Sequence, residues 1–313
     1  MSEKRATREA LGETLIELAN EGVDVVAVEA DLGGATTTVK FAKAHPDRHI
    51  NVGIAEQNMI GTAAGLAVEG KIAFTGSFAV FATGRAYDQV RNTVCYSRLS
   101  VKLAPTHAGI TVGPDGGSHQ MLEDIALMRV LPGMTVLVPA DYVAAKAALR
   151  LAAATPGPFY IRLGRAALPV IHDDDYVFEL GRARVLREGV HVTLAACGVM
   201  VAEALAAADE LALEGVNADV LDVATIKPLD AETIAASARK TGAVVTCEEH
   251  SIIGGLGSAV AEALGELAPV PLARIGVRDV FGTSGEPAEL MAHFGLTASD
   301  IAKAAREVLN RRR

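Results

Sequence analysis

Residues 49–75 read HINVGIAEQNMIGTAAGLAVEGKIAFT, and this stretch decides the fold. It predicts a short apolar strand over residues 49–54, an Ala- and Gly-rich helix over 55–68, and a second strand over 71–75. Two strands joined by a helical crossover lie parallel, because a parallel pair needs a long connection. The stretch therefore predicts a β-α-β unit.

The same alternation of strands and Ala/Leu-rich helices runs through most of the 313 residues. Such an order is typical of parallel sheets covered by helices. It is interrupted once, at residues 165–176, where Pro169 and three consecutive aspartates fit neither periodicity and predict a linker without sheet structure. We therefore predict an α/β chain of two consecutive parallel-sheet domains with helices on both faces. The predicted ranges are 1–166 for the first domain, 167–180 for the linker and 181–313 for the second, smaller domain.

The composition excludes several classes of protein. Lys and Arg total 29 against 38 Asp and Glu, and a net charge of −9 gives no overall positive field for nucleic acid or anionic lipid. A hydrophobic fraction of 50% is too high for disorder. The first residues lack the apolar core of a secretory signal, and the three scattered cysteines form no disulfide framework. We expect a cytoplasmic protein.

Ligands of open parallel sheets bind beyond the carboxyl ends of the strands. Glu56 is the first candidate there, because it follows the strand over 49–54 and falls in the first turn of the next helix. An acid at that position is ordinarily explained by the helix dipole. The small residues from Gly61 to Gly65, however, would let the helix lie against another backbone and bury the carboxyl group. A buried carboxyl group keeps its proton more readily or shares it with a basic partner, which makes Glu56 a candidate general acid.

Two further features follow predicted strands. Phe78 and Phe81 are two of only eight phenylalanines, and they either pack in the core or offer a face to a flat heteroaromatic ring. The loop from His107 to His119 contains four glycines, which allow close approach of a ligand, and imidazoles transfer protons near neutral pH. The spacing of His107, Asp115 and His119 matches no standard zinc pattern, so we predict no metal site there.

Two motifs of the second domain have simpler interpretations. The glycine-rich segment Gly254-Gly-Leu-Gly-Ser258 does not match the dinucleotide fingerprint and predicts tight packing of a strand against a helix. Cys247-Glu-Glu-His250 contains too few ligands for a metal and predicts a core cysteine at a strand end.

Taken in order, these motifs resemble the pyrimidine-binding domain of the transketolases. They are Gly53-Ile-Ala-Glu-Gln-Asn58, Ser77-Phe-Ala-Val-Phe81, and the loop of His107, Asp115 and His119. The resemblance continues through Leu163-Gly-Arg-Ala-Ala-Leu-Pro169, Gly254-Gly-Leu-Gly-Ser258 and Phe281-Gly-Thr-Ser-Gly285. It covers essentially the whole chain but only the C-terminal half of a full-length transketolase.

The resemblance implies an enzyme that uses thiamine diphosphate to transfer a two-carbon ketol unit from a ketose phosphate to an aldose phosphate. It implies that Glu56 hydrogen-bonds N1′ of the aminopyrimidine and so promotes deprotonation of the thiazolium ring. Phe81, with Phe78 beside it, is implied to stack on the aminopyrimidine. Asp31 is implied to lie in the loop beside the thiazolium ring.

The resemblance also implies the substrate ligands. His119 would lie near the reacting hydroxyls, Asp115 would read their configuration, and His107 and Arg165 would face the sugar phosphate. The family often has a phosphate-contacting serine where this chain has Ala35, and the threonines at 36–38 are its only stand-ins.

The family holds the diphosphate and its Mg²⁺ with a Gly-Asp-Gly segment followed by an asparagine, and no Gly-Asp-Gly occurs in this sequence. We therefore predict the C-terminal-type subunit of a split transketolase, with no metal ligand of its own. The predicted partner is an N-terminal-type subunit that holds the Mg²⁺, in a dimer of heterodimers.

Two alternatives remain open. A 1-deoxy-xylulose-5-phosphate synthase or the β-subunit of a 2-oxo-acid dehydrogenase shares the two-domain plan and the glutamate, but the paired histidines around Asp115 favour sugar hydroxyls. A non-catalytic regulatory subunit would keep the fold, but the retention of Glu56, both phenylalanines and the loop residues argues against it.

Overall fold

The computed structural model describes residues 3–312. Residues 1, 2 and 313, at the outer ends of the two predicted domains, lie outside this range. The helices are α1 (Glu9–Asn20), α2 (Gly33–Thr36), α3 (Thr38–Ala44), α4 (Glu56–Val68), α5 (Asp124–Arg129), α6 (Tyr142–Ala154), α7 (Met200–Leu213), α8 (Ala231–Thr241), α9 (Leu256–Leu267), α10 (Pro287–His293) and α11 (Ala298–Leu309). The strands are β1 (Lys4–Ala6), β2 (Val25–Glu29), β3 (His49–Asn51), β4 (Ile72–Gly76), β5 (Val101–Leu103), β6 (Thr135–Leu137), β7 (Phe159–Ile161), β8 (Ala167–Pro169), β9 (Arg184–Arg187), β10 (Val192–Ala196), β11 (Ala218–Asp222), β12 (Thr225–Lys227), β13 (Val244–Ser251) and β14 (Leu272–Val277).

The first sheet has seven strands in the order β12-β6-β7-β5-β4-β2-β3. Its neighbours pair in parallel except β12, which runs antiparallel to β6. Central strands of a parallel sheet are covered on both faces and need apolar side chains throughout, and β2 is buried at every position. Since β12 comes from the second half of the chain, the two halves share this sheet.

The second sheet has five strands in the order β14-β13-β10-β11-β9, all parallel except β9. Helices cover both faces of the first sheet, where Leu11 and Leu149 belong to one core cluster and Met59 and Val90 to another. The predicted architecture of two consecutive parallel-sheet domains is confirmed. None of the described helices is long and apolar enough to cross a membrane.

The prediction that residues 165–176 contain no sheet structure was wrong for residues 167–169, which form strand β8. Strand β8 pairs with β1 in a small antiparallel sheet, with Lys4 opposite Pro169 and Ala6 opposite Ala167. Proline is tolerated here because a two-stranded sheet has only edge strands. The partner strand lies more than 150 residues away in sequence, so no local pattern indicates the pairing.

Two helices in the structure also differ from those that the sequence pattern predicts. The sequence pattern predicts one helix near residues 84–97, but the structure has two π-helical segments, Val80–Arg85 and Gln89–Tyr96, and π-helical turns are frequent at functional sites. The pattern also predicts a helix over residues 120–130, but the helix begins at Asp124, because Met121 forms a β-bridge with Ala108 and the Gln120 side chain bonds inward to backbone carbonyls.

Candidate active site

The predicted site residues follow neighbouring strands of the first sheet. Strand β2 leads to Asp31, β3 to Glu56, β4 to Phe78, β5 to His107 and β7 to Arg165. Because these strands are parallel neighbours, their carboxyl ends lie at one edge of the sheet. The fold therefore brings the five positions to the edge where ligands bind.

Glu56 begins α4, and its side chain is only 1% exposed. The carboxyl group is buried, as predicted, and it has a basic partner. Arg85 Nη1 donates to both oxygens of Glu56, at 3.1 and 3.0 Å. The guanidinium of Arg85 lies 4.6 Å over the centre of the Phe81 ring, and its side chain is half exposed. Glu56 is thus a buried carboxyl group paired with the half-exposed guanidinium of Arg85.

Phe78 and Phe81 form a stacked aromatic pair. Their ring centroids are 5.9 Å apart with planes within 10°. Phe78 is buried and stacks on His107 at 3.8 Å on its other side, whereas Phe81 is partly exposed and meets His119 edge-on at 5.6 Å. Phe81 is therefore the more accessible ring of the pair, with Phe78 beside it and the Arg85 guanidinium over it.

His107 is a buried imidazole with both ring nitrogens engaged. Its Nδ1 lies 2.7 Å from Thr106 Oγ1, and its Nε2 lies 3.4 Å from Arg8 Nη1. Arginine only donates, so Nε2 accepts and Nδ1 carries the proton. Burial, together with the positive charges of Arg8, Arg165 and His119, lowers the pKa of His107 to about 3. The ring is therefore neutral, and it positions Arg8. The backbone φ of His107 is 58°, a strained value for a residue other than glycine, and such values cluster at functional sites.

The glycine-rich loop presents Asp115 and His119. Arg165 Nη1 lies 3.5 Å from Asp115 Oδ1 and donates to the Val112 carbonyl at 2.6 Å. His119 Nδ1 lies 3.0 Å from Ser118 Oγ, and the imidazole is partly exposed. Arg8 lies near Arg165: burial, and then the charge of Arg165, lowers the pKa of Arg8. Two guanidinium groups thus form a cationic end of the site.

These side chains form what we call the contact row. It runs from Glu56 through Arg85 and Phe81 to His119, and from Phe81 through Phe78 and His107 to Arg8. Glu56, Arg85 and the Phe81 ring lie at one end, His119 next to Phe81 is suited to hydroxyls, and Arg8 at the other end, with Arg165 near it, is suited to an anion.

Asp31 does not join the contact row. Its carboxylate accepts a hydrogen bond from Asn51 Nδ2 at 3.3 Å, and its φ of 60° is left-handed. The threonines at 36–38 use their hydroxyls within the chain: Thr36 and Thr38 contact each other at 2.9 Å, and Thr37 Oγ1 donates to the Arg8 carbonyl at 3.0 Å. Thr36 and Thr38 are also buried. We therefore do not propose these threonines as replacements for the phosphate-contacting serine of the family.

The sequence analysis missed two members of the contact row. Arg85 lies four residues after Phe81 in the π-helical segment, so helical spacing alone would have placed it on the same face. Arg8 carries no comparable signal, because it reaches His107 across 99 residues of sequence.

The two second-domain motifs have structural roles. Glu248, buried, accepts from the amides of Leu256 and Gly257 at 2.7 and 2.8 Å, at the N-terminus of α9. A Cβ on Gly255 would lie 1.9 Å from Glu248 Oε2, so the glycine-rich segment admits this carboxyl group. Cys247 is fully buried. In residues 3–312, no group of three or more His, Cys, Asp or Glu side chains could hold a metal ion.

The chain matches two family models. Residues 3–170 match the transketolase pyrimidine-binding domain, and residues 181–301 match the transketolase C-terminal domain.

Individual relatives are similar over nearly their full length. The 6-deoxy-6-sulfo-D-fructose transketolase subunit SqwH of a Clostridium species is 50% identical over 99% of this chain and 96% of its own. One of the subunits of the apulose-4-phosphate transketolase of Phocaeicola vulgatus is 40% identical over 98% of each chain. A solved structure described as a split gene transketolase, inactive beta4 tetramer, is 52% identical, with a TM-score of 0.91, over 98% of this chain and 99% of its own. The chain therefore belongs to the transketolase family, alongside relatives in which these two domains form a separate subunit.

Proposed function

We propose that the chain is the C-terminal-type subunit of a split transketolase. Together with an N-terminal-type subunit, it transfers a two-carbon ketol unit from a ketose phosphate to an aldose phosphate. The contact row carries this proposal, because it combines a buried carboxyl group, two aromatic rings, two histidines and two arginines at one sheet edge. The names of the relatives, which are subunits of transketolases for anionic sugars, support it.

The residues fit one end of thiamine diphosphate. The Glu56 carboxyl group suits a hydrogen bond to a ring nitrogen, and the Phe81 ring, once the Arg85 guanidinium moves off it, suits stacking on the aminopyrimidine. When bound, the cofactor supplies the carbanion stabilisation that cleavage between carbon atoms requires. Arg85 then has to leave Glu56 or share it, and its half-exposed side chain has room to move. We assign the diphosphate and Mg²⁺ to the partner subunit, and Asp31 to the thiazolium side of the site.

The remaining residues bind and orient the sugar. His119 moves a proton at the reacting hydroxyl, and Asp115 hydrogen-bonds a neighbouring hydroxyl. Arg165 binds the phosphate, and Arg8 joins it there because the neutral His107 ring holds its guanidinium. In this proposal His107 acts on the phosphate indirectly, by holding the guanidinium of Arg8 next to it.

Glu56→Gln tests the assignment in the complex with the partner subunit. The amide keeps the shape of the side chain but cannot supply the carboxyl proton, so ketol transfer should fall at least about a hundredfold. Circular dichroism and the melting temperature should stay close to those of the wild type. The matched control is Glu262→Gln, which breaks another carboxylate–arginine pair, to Arg129 at 2.6 Å, far from the site.

Near-normal turnover of the Glu56→Gln complex would contradict the central assignment. Release of carbon dioxide from pyruvate by the wild-type complex, without ketol transfer, would instead indicate the 2-oxo-acid chemistry of the rival families. Failure of the complex to bind thiamine diphosphate at all would indicate a non-catalytic subunit.

A further inference from the structure

Two loops from different domains touch beside the contact row. We call residues 113–119 the substrate loop, because it carries Asp115 and His119, and residues 279–285 the clamp loop. Their backbones are in direct contact: a Cβ on Gly117 would lie 2.5 Å from the Gly282 carbonyl oxygen, and a Cβ on Gly116 would lie 3.5 Å from Ser284 Cβ. Position 117 requires glycine because the Gly282 carbonyl leaves no room for a side chain, and Gly116 adopts a φ of 74°, which favours glycine.

The buried side chain of Gln120 is hydrogen-bonded to both loops. Its side chain is buried, and Nε2 donates to the carbonyls of Ile110 at 3.1 Å, Gly113 at 3.3 Å and Thr283 at 2.9 Å. Gly113 begins the substrate loop, and Thr283 belongs to the clamp loop. A Cβ on Gly282 would lie 1.7 Å from Gln120 Oε1, so the clamp loop passes directly over this amide.

A second bond joins the loops at the surface. Ser284 Oγ donates to the Pro114 carbonyl at 2.7 Å, next to Asp115. Within the substrate loop the backbone makes only two short turn bonds, from Gly116 to Gly113 and from His119 to Gly116, beside the side-chain contact of Ser118 with His119. A loop with three glycines in seven residues and so few internal bonds depends on its neighbours for a fixed conformation.

We propose that Gln120 is a positioning residue for substrate binding, and that the second domain acts on the active site through the clamp loop. Gln120 and Ser284 hold the substrate loop so that Asp115 and His119 face the sugar. Neither touches the contact row directly. This inference rests on the proposed function, and it assigns to the second domain a part in substrate affinity.

The test uses Gln120→Met and Ser284→Ala in the complex with the partner subunit. Methionine keeps the volume of the side chain but donates no hydrogen bond. Loss of bonds of ordinary strength should raise KM for the sugar substrates about 5- to 10-fold, with kcat changed by less than about twofold. The matched control is Ser299→Ala, which removes a serine bond to Glu210 in the same domain, away from the loops. It should leave both constants unchanged.

A merely structural role predicts a different result. The melting temperature and kcat would then fall while KM stays unchanged, and that outcome would overturn the proposal. Ser284→Ala keeps the test informative if Gln120→Met fails to fold.

Hydrogen exchange of the full chain gives a readout independent of turnover. Amides of residues 113–119 should exchange faster in both variants than in the wild type, and unchanged exchange would refute the clamp. If the wild-type complex transfers no ketol units, the proposed function fails, and exchange still decides whether the clamp exists.

Discussion

Lys102 is a fully buried lysine in β5, on the first sheet. Its Nζ donates to the carbonyls of Thr155 at 2.6 Å and Gly157 at 2.7 Å and lies 4.5 Å from the centre of the Phe159 ring. Its bonds go to neutral carbonyls, and burial lowers the pKa of Lys102 to about 7. A buried amine of this kind makes the stability of the chain depend on pH.

The sign of this dependence follows from proton binding. An unfolded lysine titrates near pH ~10.4, so between about pH 7 and that value the unfolded state binds more protons, and stability rises with pH. In Lys102→Met this contribution disappears. The free energy of unfolding of the wild type, relative to the variant, should therefore increase by up to about 1.4 kcal/mol per pH unit across this window.

Chemical denaturation at several pH values measures the difference. Lys43→Met, at an exposed lysine of α3, is the control and should show no such increase. A difference between wild type and Lys102→Met that stays constant with pH would mean that Lys102 keeps its charge on folding.

At the same scale, the sequence predicted those site residues whose positions follow strand ends. Glu56, Phe78 and His107 fall there in the structure, because local periodicity determines where a strand stops. Arg8 was not predictable, since its contact with His107 depends on packing between distant segments.

At the scale of elements, His172 anchors the segment that connects the two sheets. It lies between Asp141, which caps the N-terminus of α6, and Asp222, at the end of β11. Its Nδ1 is 3.1 Å from Asp141 and its Nε2 is 3.4 Å from Asp222. Burial alone would lower the pKa of His172, but the two carboxylates outweigh burial and raise it to about 9. The connecting segment is therefore fixed by charge to both domains.

His172→Gln should be less stable than the wild type in acid. The folded pKa lies above the unfolded value of about 6.5, so the stabilisation is fully present below that pH, amounts to about 3 kcal/mol, and disappears as pH rises through about 9. Denaturation of both proteins between these limits measures it. The exposed His293→Gln serves as the control. Equal stabilities of His172→Gln and wild type in acid would exclude a charged His172.

Element prediction failed where pairing is non-local. The order of buried strands and helices follows from hydrophobic periodicity, and the parallel sheets follow from that order. Strand β12 joins the first sheet from the second domain, and β1 pairs with β8 across the length of the first domain. Neither pairing leaves a mark on the local pattern, because an edge strand of three residues is too short to show a period.

At the scale of the whole molecule, the two domains are joined behind the site. Arg162 is buried and donates to Asp124 at 2.8 Å and to the Glu249 carbonyl at 2.9 Å. This pairing connects β7 and α5 with β13 of the second sheet. On the other side, Arg85 and Phe81 remain partly exposed. The two domains are thus joined by buried polar bonds, while part of the site stays open to solvent.

The openness of the site leads to a prediction about assembly. Purified alone with thiamine diphosphate and Mg²⁺, the chain should show no measurable ketol transfer, because its sequence contains no Gly-Asp-Gly segment to hold the diphosphate. Titration with the N-terminal-type subunit should restore activity up to one partner per chain, and light scattering should give the mass of two subunits of each kind. Chain carrying Glu56→Gln should assemble equally well yet stay inactive, which separates assembly from chemistry. Transfer by the isolated chain at a rate comparable with the complex would show that this site needs no partner.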